Sequence, residues 1–152
     1  IETLNGSIAV EDEISKSFER GVEFFSSFGG NPVSCAAGLA VLDVIEEENL
    51  QNNAKNVGDY YLKQLNILKK EFSCIGDVRG AGLFLGIEIV EKNSKKANSV
   101  LAQKLKIELR KKYILVGSDG PFNNVIKTKP PICFTKKNVD TVCLEIRKIL
   151  DK

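Results

Sequence analysis

Ser26, Ser27, Gly29 and Gly30 stand directly ahead of Asn31-Pro32 in the run SSFGGNPVSCAAGLAVLDVIEEENL, residues 26–50. Asn31 followed by Pro32 is enough to start a helix. The asparagine side chain caps free N–H groups, and the fixed φ of proline suits the first turn. Two hydroxyls and two glycines in front of that start meet a different need. Glycine lets the backbone come close to another group, and a hydroxyl beside the positive end of a helix dipole favours an anion. The chemistry suggested is capture of a phosphate or carboxylate; the alternative is a tight turn and a cap with no ligand.

What the chain lacks narrows the rest. It contains no histidine, which removes the commonest general base and with it the Ser-His-Asp and Cys-His arrangements. Catalysis would have to use lysine, carboxylates, tyrosine, cysteine or a cofactor. Cys35, Cys74, Cys133 and Cys143 form no C-x-x-C pair, so no metal site is expected. Each has apolar neighbours, which reads as four buried free thiols in a reducing, intracellular compartment. Arg79, between Val78 and Gly80, has two readings: it binds a carboxylate or phosphate, or it ties a turn to a neighbouring acid or carbonyl. Lys127 and Lys129 are two apart in an extended stretch and so share one strand face.

The elements that hold these residues follow from periodicity. Glu11 to Arg20 fits a short helix with Ile14 and Phe18 on one face. From Pro32, Val33, Ala37, Ala40, Val41, Val44 and Ile45 recur at helical spacing, and Glu46 to Glu48 end the run. Leu50, Ala54, Val57, Tyr61, Leu65, Leu68 and Phe72 mark a second long helix, within which Gly58 costs about 1 kcal/mol relative to alanine. In GDVRGAGLFLGIEIV, residues 76–90, Leu83, Leu85, Ile87 and Ile89 alternate with their neighbours and predict a strand. A helix is expected from about Ser94 to Lys112, burying Ala97, Leu101, Leu105 and Leu109. Ile114 to Val116 reads as a short strand, GSDGP as a turn, and NVIKTKPPICFT as extended, because Pro130 and Pro131 forbid a helix. Thr135 caps a last helix with Val139, Val142, Cys143, Ile146, Ile149 and Leu150 in an apolar stripe.

The sum is an α+β layer: a small, mostly antiparallel sheet with helices on one side. At 152 residues, 43% hydrophobic and 28% charged, the chain is long enough for one real core. A net charge of +2 is too small to imply nucleic acid or a membrane as partner. No apolar run approaches the ~20 residues that span a bilayer.

Three stretches, SSFGGNPVSCAAGLAVLDVIEEENL, IGDVRGAGLFLGIEIV and GPFNNVIKTKPPICFT, resemble in order and spacing the C-terminal part of class-III pyridoxal-phosphate-dependent aminotransferases. The similarity runs from about Ser15 to the end. Within that family, NVIKTKPPICF is most similar to ethanolamine-phosphate and phosphohydroxylysine phospho-lyases, which share the aminotransferase fold. The resemblance implies that residues 1–31 close a large cofactor domain, incomplete and partly disordered. Residues 32–49 would be the interdomain helix, and residues 50–152 the C-terminal small domain of a type I fold.

The resemblance also implies roles. In the family's homodimers, the position of Ser27 usually holds a threonine that hydrogen-bonds the pyridoxal phosphate of the other subunit. Gly29 and Gly30 then pass close to that subunit, and Asn31 begins the helix. Lys127 stands where true aminotransferases commonly carry an arginine that clamps the substrate α-carboxylate in a bidentate fork. Lysine offers a point charge instead, which weakens a carboxylate clamp and suits a substrate without one. The bland alternative is a solvated lysine on a strand edge.

The family's catalytic lysine precedes Gly-Asn-Pro by some tens of residues, and the first lysine here is Lys16. No catalytic residue is therefore assigned to this chain. The expectation is the C-terminal portion of an enzyme that eliminates phosphate from an amino-alcohol phosphate such as phosphoethanolamine. Complete, it would be a homodimer using pyridoxal 5'-phosphate on a small amine substrate. Alone, the chain would hold no cofactor, be inactive, and expose apolar surface at Val33, Ala37, Ala40 and Val41. The alternatives are an aminotransferase of the alanine–glyoxylate type and a stand-alone, non-catalytic interaction domain.

Overall fold

The computed structural model describes residues 10–21, 23, 25, 27 and 29–151, which fall into two units, Ile1–Glu48 and Asn49–Lys152. The expectation of disorder before Val10 lies outside the described residues, as do Ser26 and Phe28.

The first unit holds two helices. In α1 (Asp12–Glu19) the acids Asp12 and Glu13 occupy the first turn, where the dipole favours them. In α2 (Pro32–Glu47) the Asn31 side-chain Oδ1 accepts the Ser34 N–H at 3.1 Å, so the sequence signal for the helix start holds. No residue of either helix is buried. Val33 and Val41 are 79% and 58% exposed, and Ala37 and Ala40 are exposed beside them.

The second unit carries the core. Its order is α3 (Leu50–Glu71), β1 (Ile75–Ala81), β2 (Phe84–Ile89), α4 (Ser99–Arg110), β3 (Gly117–Asp119), β4 (Val125–Thr128) and α5 (Lys136–Leu150). The sheet runs β1-β2-β4-β3, and every neighbouring pair is antiparallel. The helix α3 packs on β1 and β2, α4 packs on β2, β3 and β4, and α5 packs on α3 and α4. The helices of this unit thus cover one face of the sheet. Leu85, Ile87 and Ile89 from β2 and Ile126 from β4 point into it and meet Tyr61, Leu65 and Leu68 of α3 and Leu105 and Leu109 of α4. Fully burying a side chain of this kind contributes about 1.5–3 kcal/mol, so this layer is where the unit's stability lies.

Three expectations are corrected. Residues 76–90 form a hairpin and not one strand: β1 turns through Gly82 and Leu83 into β2, with Ala81 facing Phe84. The next helix starts later than expected, because Ala97 bridges back to Val90 and Asn98 caps α4 by accepting the Leu101 N–H at 2.9 Å. The strand β3 is Gly117–Asp119, the residues read as a turn, while Ile114 to Val116 lie outside any strand. Pairing with β4 decides this, since Gly117 faces Lys127 and Asp119 faces Val125.

Cys74 and Cys143 are buried, but Cys35 and Cys133 are exposed. Cys35 sits on the uncovered α2, and Cys133 follows the two prolines in an exposed loop, so burial of all four thiols does not hold. Among the described residues, no group of His, Cys, Asp and Glu is gathered to hold a metal, and no helix is long and apolar enough to cross a membrane.

Candidate functional site

The uncovered face of the sheet brings two of the sequence candidates together. Strand alternation puts Phe84, Gly86 and Glu88 of β2 opposite to the buried Leu85, Ile87 and Ile89. Register then fixes the neighbours: Arg79 of β1 faces Gly86, and Gly86 faces Lys127 of β4. Arg79 and Lys127 thus lie on one cross-strand row, two strand spacings or about 10 Å apart at the backbone. The residue between them has no side chain. On the far side Lys127 faces Gly117, again without a side chain. A hollow of about 420 Å³ results, lined by Arg79, Phe84, Gly86, Asp119, Val125 and Lys127 among others.

Gly86 keeps that hollow open at close quarters. A Cβ there would stand 3.2 Å from Val125 Cγ1, so a larger residue would crowd the same face.

The two cations are held differently. Arg79 Nη1 donates to Asp77 Oδ2 at 3.0 Å and to Glu88 Oε2 at 2.8 Å, and Lys69 donates to the other oxygen of Asp77 at 3.1 Å. The Glu88 and Asp77 carboxylates push the Arg79 guanidinium further above its already high range. Arg79 is thus tied to two neighbouring acids of β1 and β2. Among the described residues Lys127 makes one ion pair, Nζ to Asp119 Oδ2 at 2.5 Å. Asp119 is held below the usual carboxylate range, first by that lysine and then by the Gly120 N–H, which its Oδ1 accepts at 2.8 Å. Lys129, just past β4, sets its ammonium 5.0 Å from the centroid of the Phe84 ring, a cation–π contact.

Ser27, Gly29, Gly30 and Asn31 belong to the other unit. Ser27 is exposed, and Gly29 and Gly30 form a turn directly ahead of α2. Gly30 has φ +70, a conformation that favours glycine, and a Cβ there would meet nothing within 4 Å. Both polar atoms of the Asn31 amide are engaged: Oδ1 by the Ser34 N–H and Nδ2 by Ser34 Oγ at 2.9 Å. The Asn31 side chain thereby caps α2.

Asp119 was not singled out in the sequence, nor were Gly86 and Phe84. The signal for Asp119 was an opposite charge eight residues ahead of Lys127 across a turn. It becomes readable only once GSD is recognised as a strand.

The comparisons agree with this architecture. The aminotransferase class-III family model matches residues 5–150. The chain is 48% identical over 148 residues to the alanine–glyoxylate aminotransferase 2-like protein of Drosophila melanogaster, covering 95% of this chain and 30% of that one. It is 40% identical to ethanolamine-phosphate phospho-lyase homolog 1 of Caenorhabditis elegans, covering 88% of this chain and 29% of that one. Among solved structures, a phospholyase from Arthrobacter in complex with phosphoethanolamine superposes with a TM-score of 0.89 at 36% identity, covering 93% of this chain and 34% of that one. The chain belongs to the aminotransferase class-III family. It spans about a third of the length of each of these three relatives, and its α+β layer corresponds to part of their fold.

Proposed function

We propose that this chain forms the C-terminal portion of a pyridoxal-phosphate-dependent enzyme that eliminates phosphate from an amino-alcohol phosphate such as phosphoethanolamine. The observation that carries the reading is Lys127: a point charge, not an arginine fork, faces the hollow beside Gly86. A lysine gives no planar bidentate match to a carboxylate but attracts a phosphate well. The phosphoethanolamine complex of the Arthrobacter phospholyase supports the same substrate class.

Pyridoxal phosphate, when bound, supplies the electron sink that carbanion chemistry at an amine-bearing carbon requires. The residues present fit its phosphate: Ser27 is exposed, and Gly30, ahead of the positive end of α2, has nothing within 4 Å of where a Cβ would stand. In a homodimer, Ser27 would donate to the cofactor phosphate of the partner subunit, while Gly29 and Gly30 let the backbone approach. Asn31 fixes where the helix begins. Lys127 orients the anionic end of the substrate, and Arg79 stiffens the neighbouring strand.

The second reading, an aminotransferase of the alanine–glyoxylate type, is favoured by the 48% identity to the Drosophila protein. Substituting Lys127→Arg in the full-length enzyme separates the two. The expected result is improved use of α-amino acids at the expense of the phosphorylated substrate; unchanged selectivity removes Lys127 from the substrate site.

A further inference from the structure

We infer that Asp119 is a specificity-determining positioning residue, holding the Lys127 ammonium in an ion pair that a phosphate dianion displaces and a single carboxylate does not. This rests on the reading that Lys127 receives the anionic end of the substrate.

The contrast between the two cations of the row carries the inference. Arg79 belongs to a network of Lys69, Asp77 and Glu88, in which one nitrogen serves two acids. An incoming anion would have to replace two carboxylates at once to claim it. Among the described residues Lys127 pairs with one acid, Asp119, whose side chain is 59% exposed. Its pairing can be exchanged with little rearrangement, because Asp119 stays anchored through its other oxygen to the Gly120 N–H. Facing residues Gly86 and Gly117 put no side chain in the way.

The exchange has a charge requirement. A monocarboxylate taking the place of Asp119 substitutes one carboxylate for another, with the same formal charge and the same acceptor atoms. It gains nothing from Lys127 and leaves Asp119 repelled. A phosphate monoester brings about −1.5 to −2 charges and three acceptor oxygens. It outcompetes Asp119 for Lys127 and has charge left for Lys129, which lies on the same face over Phe84. Asp119 thus acts against the wrong ligand more than for the right one.

The test is a titration of this chain by nuclear magnetic resonance, following the Gly86 and Gly117 amides. The probes are phosphoethanolamine and β-alanine, which share the aminoethyl unit and differ in the anion. In the parent chain, phosphoethanolamine gives a saturable shift at least about tenfold tighter than β-alanine. Asp119→Asn tightens β-alanine so that the ratio falls below about threefold, and Asp119→Glu restores it. Lys127→Ala abolishes the response to both. An unchanged ratio in Asp119→Asn, with Lys127→Ala still abolishing binding, overturns the role of Asp119 and leaves the substrate reading standing. Parent-like binding in Lys127→Ala, or no saturable shift in the parent, overturns the substrate reading and this inference with it.

Discussion

Gly58 in the middle of α3 lies against the backbone of Gly82 in the β1–β2 turn, so close that a Cβ on Gly58 would stand 2.1 Å from the Gly82 carbonyl oxygen. This contact seats the hairpin, and with it Arg79 and Gly86, on a helix that buries Val57, Tyr61, Leu65 and Leu68 in the core. Gly82 itself has φ +52, which the two-residue turn requires. The helix propensity lost at Gly58 is offset by a close approach that no other residue allows.

Gly58→Ala should therefore destabilise the fold although alanine is the better helix former. Overpacking of this kind costs about 1–3 kcal/mol, more than the ~1 kcal/mol that propensity would return. Thermal unfolding followed by circular dichroism checks it, and a higher melting temperature would show that the turn moves away freely.

Much of the second unit was legible because its helices carry dense apolar stripes. Leu50, Val57, Tyr61, Leu65 and Leu68 repeat at helical spacing and are all buried, and Thr135 capped α5 where the sequence placed it. The strand β1 was hidden because Gly76 and Gly80 dilute its β propensity and its burial does not alternate. The strand β3 was hidden because Gly-Ser-Asp is turn chemistry, overridden here by pairing with β4. The meeting of Arg79, Gly86 and Lys127 is a matter of register between strands distant in sequence, which no local pattern states.

The start of α5 offers a second stability test. Thr135 Oγ1 accepts the Asn138 N–H at 3.3 Å, and Asn138 Oδ1 accepts the Thr135 N–H at 3.0 Å, closing a capping box. Thr135→Ala should cost about 1 kcal/mol, read from the urea midpoint at unchanged slope. A midpoint equal to the parent's would mean that the packing of α5 on α3 and α4 fixes the helix start alone.

Acid should weaken the β1 network in a defined direction. The Lys69 ammonium, and after it the Arg79 guanidinium, hold the Asp77 carboxyl below its ordinary value. A carboxyl lowered in the folded state stabilises the fold at pH values above its unfolded pKa. That contribution fades as pH drops below ~4 and on through the folded value. The Asp77 side chain is 43% exposed, so the effect is modest and shrinks with added salt. Urea midpoints measured from neutral to strongly acidic pH should fall less steeply in Asp77→Asn than in the parent. Equal slopes would mean that these ion pairs contribute nothing to acid sensitivity.

The thiols should react in two classes. Cys35 and Cys133 are exposed and react promptly with a chromogenic disulfide at mildly alkaline pH. Cys74 and Cys143 react only on unfolding, since burial raises both and pushes the Cys143 thiol up to about 12. Serine at Cys35 and Cys133 should remove the whole fast phase; a residual fast equivalent would place Cys74 or Cys143 at the surface.

The central claim is tested most directly on the full-length enzyme with pyridoxal phosphate and phosphoethanolamine, following free phosphate with no keto acid present, beside a parallel reaction of alanine with glyoxylate. The account predicts phosphate release that needs no amino acceptor. Amino exchange between alanine and glyoxylate without release of phosphate would contradict it, and Lys127 would then be a substitute for the arginine clamp.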